Sequence, residues 1–244
     1  MYAWESYHEE HYALEEPARY AASAARARSF TRAGARVLDF GCGNGSFLLA
    51  SRDAGLAPEG VEVEASAIAA VRSRTGLPVH ALDELVASGA RFDLVHLGDV
   101  LEHLPYPTQT MRSLERLLRP AGLFFVEGPL QSNPSLVYLA TRAFRLVRRL
   151  LHRDAPGTTP PNHLLLTPSG AQRRFFTGTL GYEELLFRVS ESGWPYLAQR
   201  QRFNSPGLLV RGAIGFAAIG VAALVPGVPR PLGNRFEAVV RIRP

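Results

Sequence analysis

Residues Val37-Leu38-Asp39-Phe40-Gly41-Cys42-Gly43-Asn44-Gly45-Ser46-Phe47-Leu48 decide the fold of this 244-residue chain. A continuous apolar run ends in a turn with glycine at positions 41, 43 and 45, and the chain then reads as the start of a helix. A parallel α/β sheet offers a ligand bare backbone at its strand ends in this way, with the helix N–H groups pointing at it. Asp39 narrows the kind of ligand. A carboxylate at the strand end repels phosphate and suits a ligand that carries a cationic amine. The spacing also departs from the dinucleotide fingerprint, because position 46 is Ser and the third glycine comes one residue early.

Working outward, the core alternates strand and helix. The pattern predicts strands over 35–40, 58–63, 78–82, 92–97 and 122–127, with helices over 44–54, 65–75 and 107–118. Such alternation implies a parallel sheet with helices on both faces. Glu62 closes the second strand 23 residues after Asp39, where a carboxylate can accept hydrogen bonds from two ribose hydroxyls. Glu64 would point to the same face and is its rival. At the end of the fourth strand, Asp99, Glu102 and His103 are spaced acid-x-x-acid-His. Two carboxylates and an imidazole on one short turn form a candidate Mg²⁺ or Mn²⁺ site. The alternative is that Glu102 caps local backbone while His103 acts alone as a general base.

Four stretches, in order over residues 35–130, carry a resemblance. Val37–Gly45 resembles the first motif of class I S-adenosylmethionine-dependent methyltransferases, and Gly60-Val61-Glu62 resembles their second-strand acid motif. Phe92–Leu104 resembles the fourth strand of the ubiquinone-biosynthesis-like O-methyltransferase group, and Leu117–Val126 resembles that group's turn into the fifth strand. The resemblance implies a Rossmann-like α/β fold whose mostly parallel seven-stranded sheet has an antiparallel last strand. It also implies S-adenosyl-L-methionine as cofactor, held by Asp39, Gly41, Cys42, Gly43, Gly45, Glu62, Gly98 and Asp99. The backbone of Leu82 and Asp83 is expected at the adenine. The family's N-terminal helical cap would correspond to residues 4–33, with Tyr7 or Tyr12 near the methionine end. His103 is the candidate base, with His163 also facing the acceptor. Some members of the group bind a metal at the acid-x-x-Glu-His position.

Composition sets the remaining bounds. The length suits one domain: a cap at 1–34, a cofactor core at 35–130, a substrate-side segment at 131–181, and two last strands at 182–190 and 235–242 with an apolar insertion at 207–225. One cysteine, Cys42, excludes an internal disulfide and suits a reducing, cytoplasmic setting, and the acidic, aromatic start shows no leader pattern. All 27 basic residues are Arg, and their distribution is uneven. Residues 1–130 hold 12 Arg against 17 acids, and residues 131–244 hold 15 Arg against 5 acids, so balances of −5 and +10 make up the net +5.

Residues 135–153 read as a basic amphipathic helix: Leu136, Leu139, Ala140, Ala143, Val147 and Leu150 form one face, and Arg142, Arg145, Arg149 and His152 another. A further helix is predicted over 168–180. The charge-free core of the insertion, 212–225, has 14 residues, short of the roughly 20 that span a bilayer. The two segments predict either peripheral docking on an anionic membrane or a closed lid in which they pack on each other. The acceptor is expected to be a small amphipathic, lipid-linked or glycan-type molecule bearing a hydroxyl. A non-catalytic cofactor-binding protein is one alternative. A nucleic-acid-directed methyltransferase is another, although no recognition motif accompanies the basic charge. Nothing in the sequence sets the oligomeric state.

Overall fold

The structure, a computed structural model, describes residues 17–130, 132–151, 164–165, 167–192, 206–227 and 231–243. Tyr7, Tyr12, His152 and His163 lie outside the described residues. Helix α1 (Pro17–Ser29) precedes the sheet. Strand β1 (Arg36–Phe40) then leads into α2 (Ser46–Asp53), β2 (Ala57–Val61) into α3 (Ala65–Thr75), and β3 (Val79–His80) into α4 (Leu82–Ala87). β4 (Phe92–Gly98) passes through a 3₁₀ turn (Leu101–His103) to α5 (Pro107–Glu115) and β5 (Leu118–Pro129). Next come α6 (Leu136–Leu151), α7 (Ser169–Arg174), β6 (Glu183–Ser190), α8 (Pro206–Leu224) and β7 (Arg235–Arg241).

The strands form one seven-stranded sheet in the order β3-β2-β1-β4-β5-β7-β6. The first five pair in parallel, and β7 runs antiparallel to both β5 and β6. The strand order reverses between β1 and β4, and open α/β sheets take their ligands at the carboxyl ends beside such a reversal.

Near-continuous apolar strands are needed because both faces of the sheet are covered. On one face Leu38, Val95, Leu97, Phe124 and Val126 pack with Met111 and Leu114 of α5 and with Phe176. On the other, Val37, Leu94, Leu123, Phe125 and Val239 meet Ala24 and Ala27 of α1 and Phe47 of α2. The small Ala residues of α1 let this helix lie close on the sheet, so α1 reaches the site described below.

Several boundaries differ from the sequence expectation. The helix expected from 44 begins at Ser46, because Gly43 and Gly45 both take positive φ and keep the chain in a turn. The predicted strand 78–82 is only two residues long, and α4 follows at once, with Asp83 and Glu84 in its first turn where the helix dipole favours acids. The fifth strand starts at Leu118 rather than 122, because Leu118 pairs with Phe92 across a register shift. The helix predicted over 168–180 stays α-helical only to Arg174. It continues as a π turn over Phe175–Thr179 that Leu180 closes by donating its N–H to the Phe175 carbonyl. Thr177-Gly178-Thr179 is a run of poor α-helix formers. Of the two arrangements expected for the late segments, α6 and α8 are in contact, with Gly212, Gly215, Ala218 and Ala222 of α8 buried.

Candidate functional site

At the carboxyl ends of β1 and β2 the glycine turn is tied to the neighbouring strand by three consecutive amides. Gly41 and Cys42 donate to the Val61 carbonyl at 2.9 and 3.1 Å, and Gly43 donates to Glu62 Oε1 at 2.7 Å. Glu62, half-buried, therefore lies directly on the turn, whereas Glu64 is exposed and precedes α3. Burial raises the Glu62 pKa and the Gly43 and Val63 amides only partly offset it. The Cys42 side chain is buried, and burial raises its thiol pKa as well, so only its backbone can face a ligand. Leu82 and Asp83 form the first turn of α4.

Beneath the turn lies a buried ionic network that the sequence reading missed. Asp39, 3 % exposed, does not stand alone: His96, its partner across β1 and β4, brings Nδ1 to 2.7 Å from Asp39 Oδ1. The other ring nitrogen, Nε2, is 3.6 Å from Glu127 Oε1, near enough for charge attraction and too far for a hydrogen bond. Glu127 accepts from the Ser23 hydroxyl of α1 at 2.9 Å through each of its oxygens. Arg19, one turn earlier on α1, pairs with Asp99, which Arg235 of β7 holds from the other side at 2.7 Å. Phe47 stacks on the imidazole at 3.7 Å, and Gly98 leaves the room it needs, since a Cβ there would meet His96 Cε1 at 2.7 Å.

Counting charges explains the titration of the network. Burial works against the charged form of His96, yet Asp39 and Glu127 overcome it and raise the pKa from 6.5 to about 9. For Asp99, burial is again overcome, here by Arg235 and Arg19, and the carboxyl is held below its ordinary range. Three cations (His96, Arg19, Arg235) thus balance three anions (Asp39, Glu127, Asp99). Glu102, 6 % exposed, is a fourth acid, and the nearby Arg235 and Arg19 are already paired with Asp99. Burial, then the Asp99 charge, pushes its pKa up to about 8.

These pairings bear on the candidate metal site. Both Asp99 oxygens are engaged by guanidinium groups. A divalent cation would meet two arginines and one saturated carboxylate. No group of three or more metal-binding side chains occurs among the described residues. The donor set does not fit Mg²⁺. His103, half-buried on the 3₁₀ turn, is next to this cluster in sequence. The backbone carbonyl of Glu102 receives the Leu164 and Leu165 amides at 2.8 and 3.1 Å, which fastens that later segment to the same turn.

The missed residue left a trace in the sequence: a histidine in the apolar run Leu94–Leu97, two residues before Gly98. A polar residue there has to find its partner inside the sheet. The folded state binds the His96 proton more tightly than the unfolded chain does, so its stabilisation is complete below about pH 6.5 and is lost as pH rises through about 9. Urea titrations at several pH values should show stability falling across that window. His96→Phe should cost about 3–5 kcal/mol, because it leaves buried carboxylates unpaired, and should flatten the alkaline fall. A wild-type protein equally stable at pH 6 and pH 9.5 would contradict the charged imidazole.

Comparison with known proteins agrees with this geometry. A family model described as a methyltransferase domain (Methyltransf_23) matches residues 10–203. The ubiquinone biosynthesis O-methyltransferase of Xanthomonas oryzae pv. oryzae (strain PXO99A) is 35% identical over 129 residues, which is 50% of this chain and 54% of that protein. The chain thus matches about half the length of this curated relative. Among solved structures, a SAM dependent methyltransferase from Archaeoglobus fulgidus superposes with a TM-score of 0.57 at 16% identity, covering 99% of this chain and 100% of that one. Magnesium protoporphyrin IX methyltransferase from Synechocystis PCC 6803, solved with bound SAH, gives a TM-score of 0.57 at 14% identity over 93% and 83% of the two chains. These two likenesses bear on the fold. With the family model covering most of the sequence, the chain belongs to the class I S-adenosylmethionine-dependent methyltransferases.

Proposed function

We propose that this protein transfers the methyl group of S-adenosylmethionine to a hydroxyl oxygen of a small amphipathic acceptor, lipid-linked or glycan-type. The observation that carries the reading is the Glu62 carboxylate, at the end of β2, set against the Gly43 amide of the turn that follows β1, the strand beside the order reversal where open α/β sheets take their ligands. A carboxylate there suits a ribose diol, and the bare turn at Gly41, Cys42, Gly43 and Gly45 suits a ligand lying on backbone. Support for oxygen as the methylated atom comes from the relatives named ubiquinone biosynthesis O-methyltransferase.

Bound S-adenosylmethionine supplies an already activated sulfonium methyl. The chain's task is to align the acceptor oxygen with it, exclude water, and remove the hydroxyl proton. Asp39 shapes the floor of the turn, since His96 already balances its charge. His103, next to Glu102 at the carboxyl end of β4, is the proposed base, and His163 is a second candidate from the sequence.

The reading extends to where the protein works. The 16 residues of α6 and the 19 of α8 carry five arginines and no acid. Leu139, Arg142 and Leu146 stand exposed at helical spacing on α6, and on α8 Phe216 and Leu224 are 62 % and 84 % exposed beside Val210 and Val221. No helix among the described residues is long and apolar enough to cross a membrane. We assign this surface to an anionic lipid leaflet, where each arginine contributes about 1 kcal/mol and apolar area about 25 cal/mol per Å².

Three results test these points. Glu62→Ala should weaken S-adenosylhomocysteine binding by about 1–3 kcal/mol in isothermal titration, with Glu64→Ala unchanged; the reverse pattern would move the ribose contact to Glu64. In a methyl-transfer assay on the true acceptor, His103→Ala should cut turnover about 10²-fold while cofactor affinity holds, and undiminished turnover would remove His103 from the chemistry. Finally, the protein should co-sediment with phosphatidylglycerol-containing vesicles at low salt, less so with Arg142→Glu plus Phe216→Ser. Protein that remains in the supernatant, or pellets equally with neutral vesicles, would refute docking on an anionic leaflet.

A further inference from the structure

We infer that His96 is the positioning residue of the cofactor site: its Nδ1–H holds the Asp39 carboxylate down in the sheet and so keeps the glycine turn and Glu62 in the arrangement a nucleoside needs. The inference rests on the class I reading and goes beyond it, since it gives a role to a residue buried beneath the turn.

The geometry has three parts. Asp39 is the penultimate residue of β1, two before Gly41, so the direction of its carboxylate sets what lies under the turn. Its charge is felt at Glu62 and at Cys42, where it works against ionisation of both. Two carboxylates flanking one short turn repel each other unless one is drawn away and compensated. His96 does both, with its donor at 2.7 Å from Asp39 Oδ1.

The second part is that the imidazole cannot drift. Phe47 stacks against it at 3.7 Å and Phe125 tilts over it at 5.1 Å, and the ring occupies the room left by the absent side chain of Gly98. The ring is buried, so water does not compete for Nδ1. The third part is what faces the ring: Asp39 from β1 and Glu127 from β5, with Ser23 and Arg19 of α1 set on Glu127 from behind. The same imidazole thus links the cofactor turn to the helix that covers this face.

Two substitutions separate the two ends of the ring. Asn at position 96 can present an amide N–H where Nδ1 now lies, toward Asp39. Gln can reach only the position of Nε2, toward Glu127. Both remove the charge and both should lower stability, so a purely structural role would affect cofactor binding similarly in the two. If His96 positions Asp39, isothermal titration with S-adenosylhomocysteine at pH 7 should give His96→Asn an affinity within about threefold of wild type and His96→Gln a loss of about tenfold or more, the effect of one hydrogen bond to a charged group. Thermal melts of each variant establish that folded protein is titrated. Equal losses, or no loss in either variant, would overturn the inference. A folded wild-type protein that fails to bind S-adenosylhomocysteine would instead overturn the class reading beneath it.

Discussion

The contact on which the rest of the structure depends is the imidazolium of His96 wedged between Asp39 and Glu127 at the middle of the sheet. Three parallel strands meet there, and each contributes one charged group on the same face. An uncompensated ion at that depth would cost several kcal/mol. The chain avoids this by matching cations with anions one for one. The match recruits elements far apart in sequence: Arg19 from α1 and Arg235 from β7 close on Asp99, just past the end of β4, and Ser23 from α1 closes on Glu127 of β5. The N-terminal helix and the last strand are thereby anchored on the ligand end of the sheet.

A neutral network has a functional consequence. Asp39 reads, in isolation, as a free negative charge for an amine, and Asp99 reads as a metal or ligand carboxylate. In the fold both are already paired. Around them stand the half-buried Glu62, bonded to the Gly43 amide of the glycine turn, and, on the 3₁₀ turn, the buried Glu102, whose pKa is pushed up to about 8. The glycine turn after β1 and the 3₁₀ turn after β4 flank the strand-order reversal, above the buried charges.

Much of the fold was legible because it rests on local signals. The apolar run into Gly41–Gly45 fixes the β1 turn, and the strand-helix alternation fixes the parallel core. Boundaries shifted where a tertiary contact outweighed local pattern, as when Leu118 pairs with Phe92 and lengthens β5, or where poor helix formers near Gly178 loosen a helix into a π turn. The place of Glu62 against the glycine turn was legible because it directly follows the strand that pairs with β1. His96 was not, because its meaning depends on Glu127 and Gly98, and the pairing of β4 with β5 that joins them is not written in the neighbourhood of residue 96. Likewise Asp99 looked available in sequence, since Arg19 and Arg235 lie 80 and 136 residues away.

The central claim is that the nucleoside of the cofactor is received by Glu62 on the glycine turn. The Gly43 amide donates to Glu62 Oε1, so that amide reports directly on where the carboxylate is engaged. Titration of ¹⁵N-labelled protein with S-adenosylhomocysteine, followed by amide resonances, is the most direct measurement. The account predicts that the Gly43 signal moves among the most strongly in the spectrum and saturates at one equivalent, together with Gly41 and Gly45. Saturable binding that leaves Gly43 and its neighbours in place, with shifts clustered elsewhere, would contradict it.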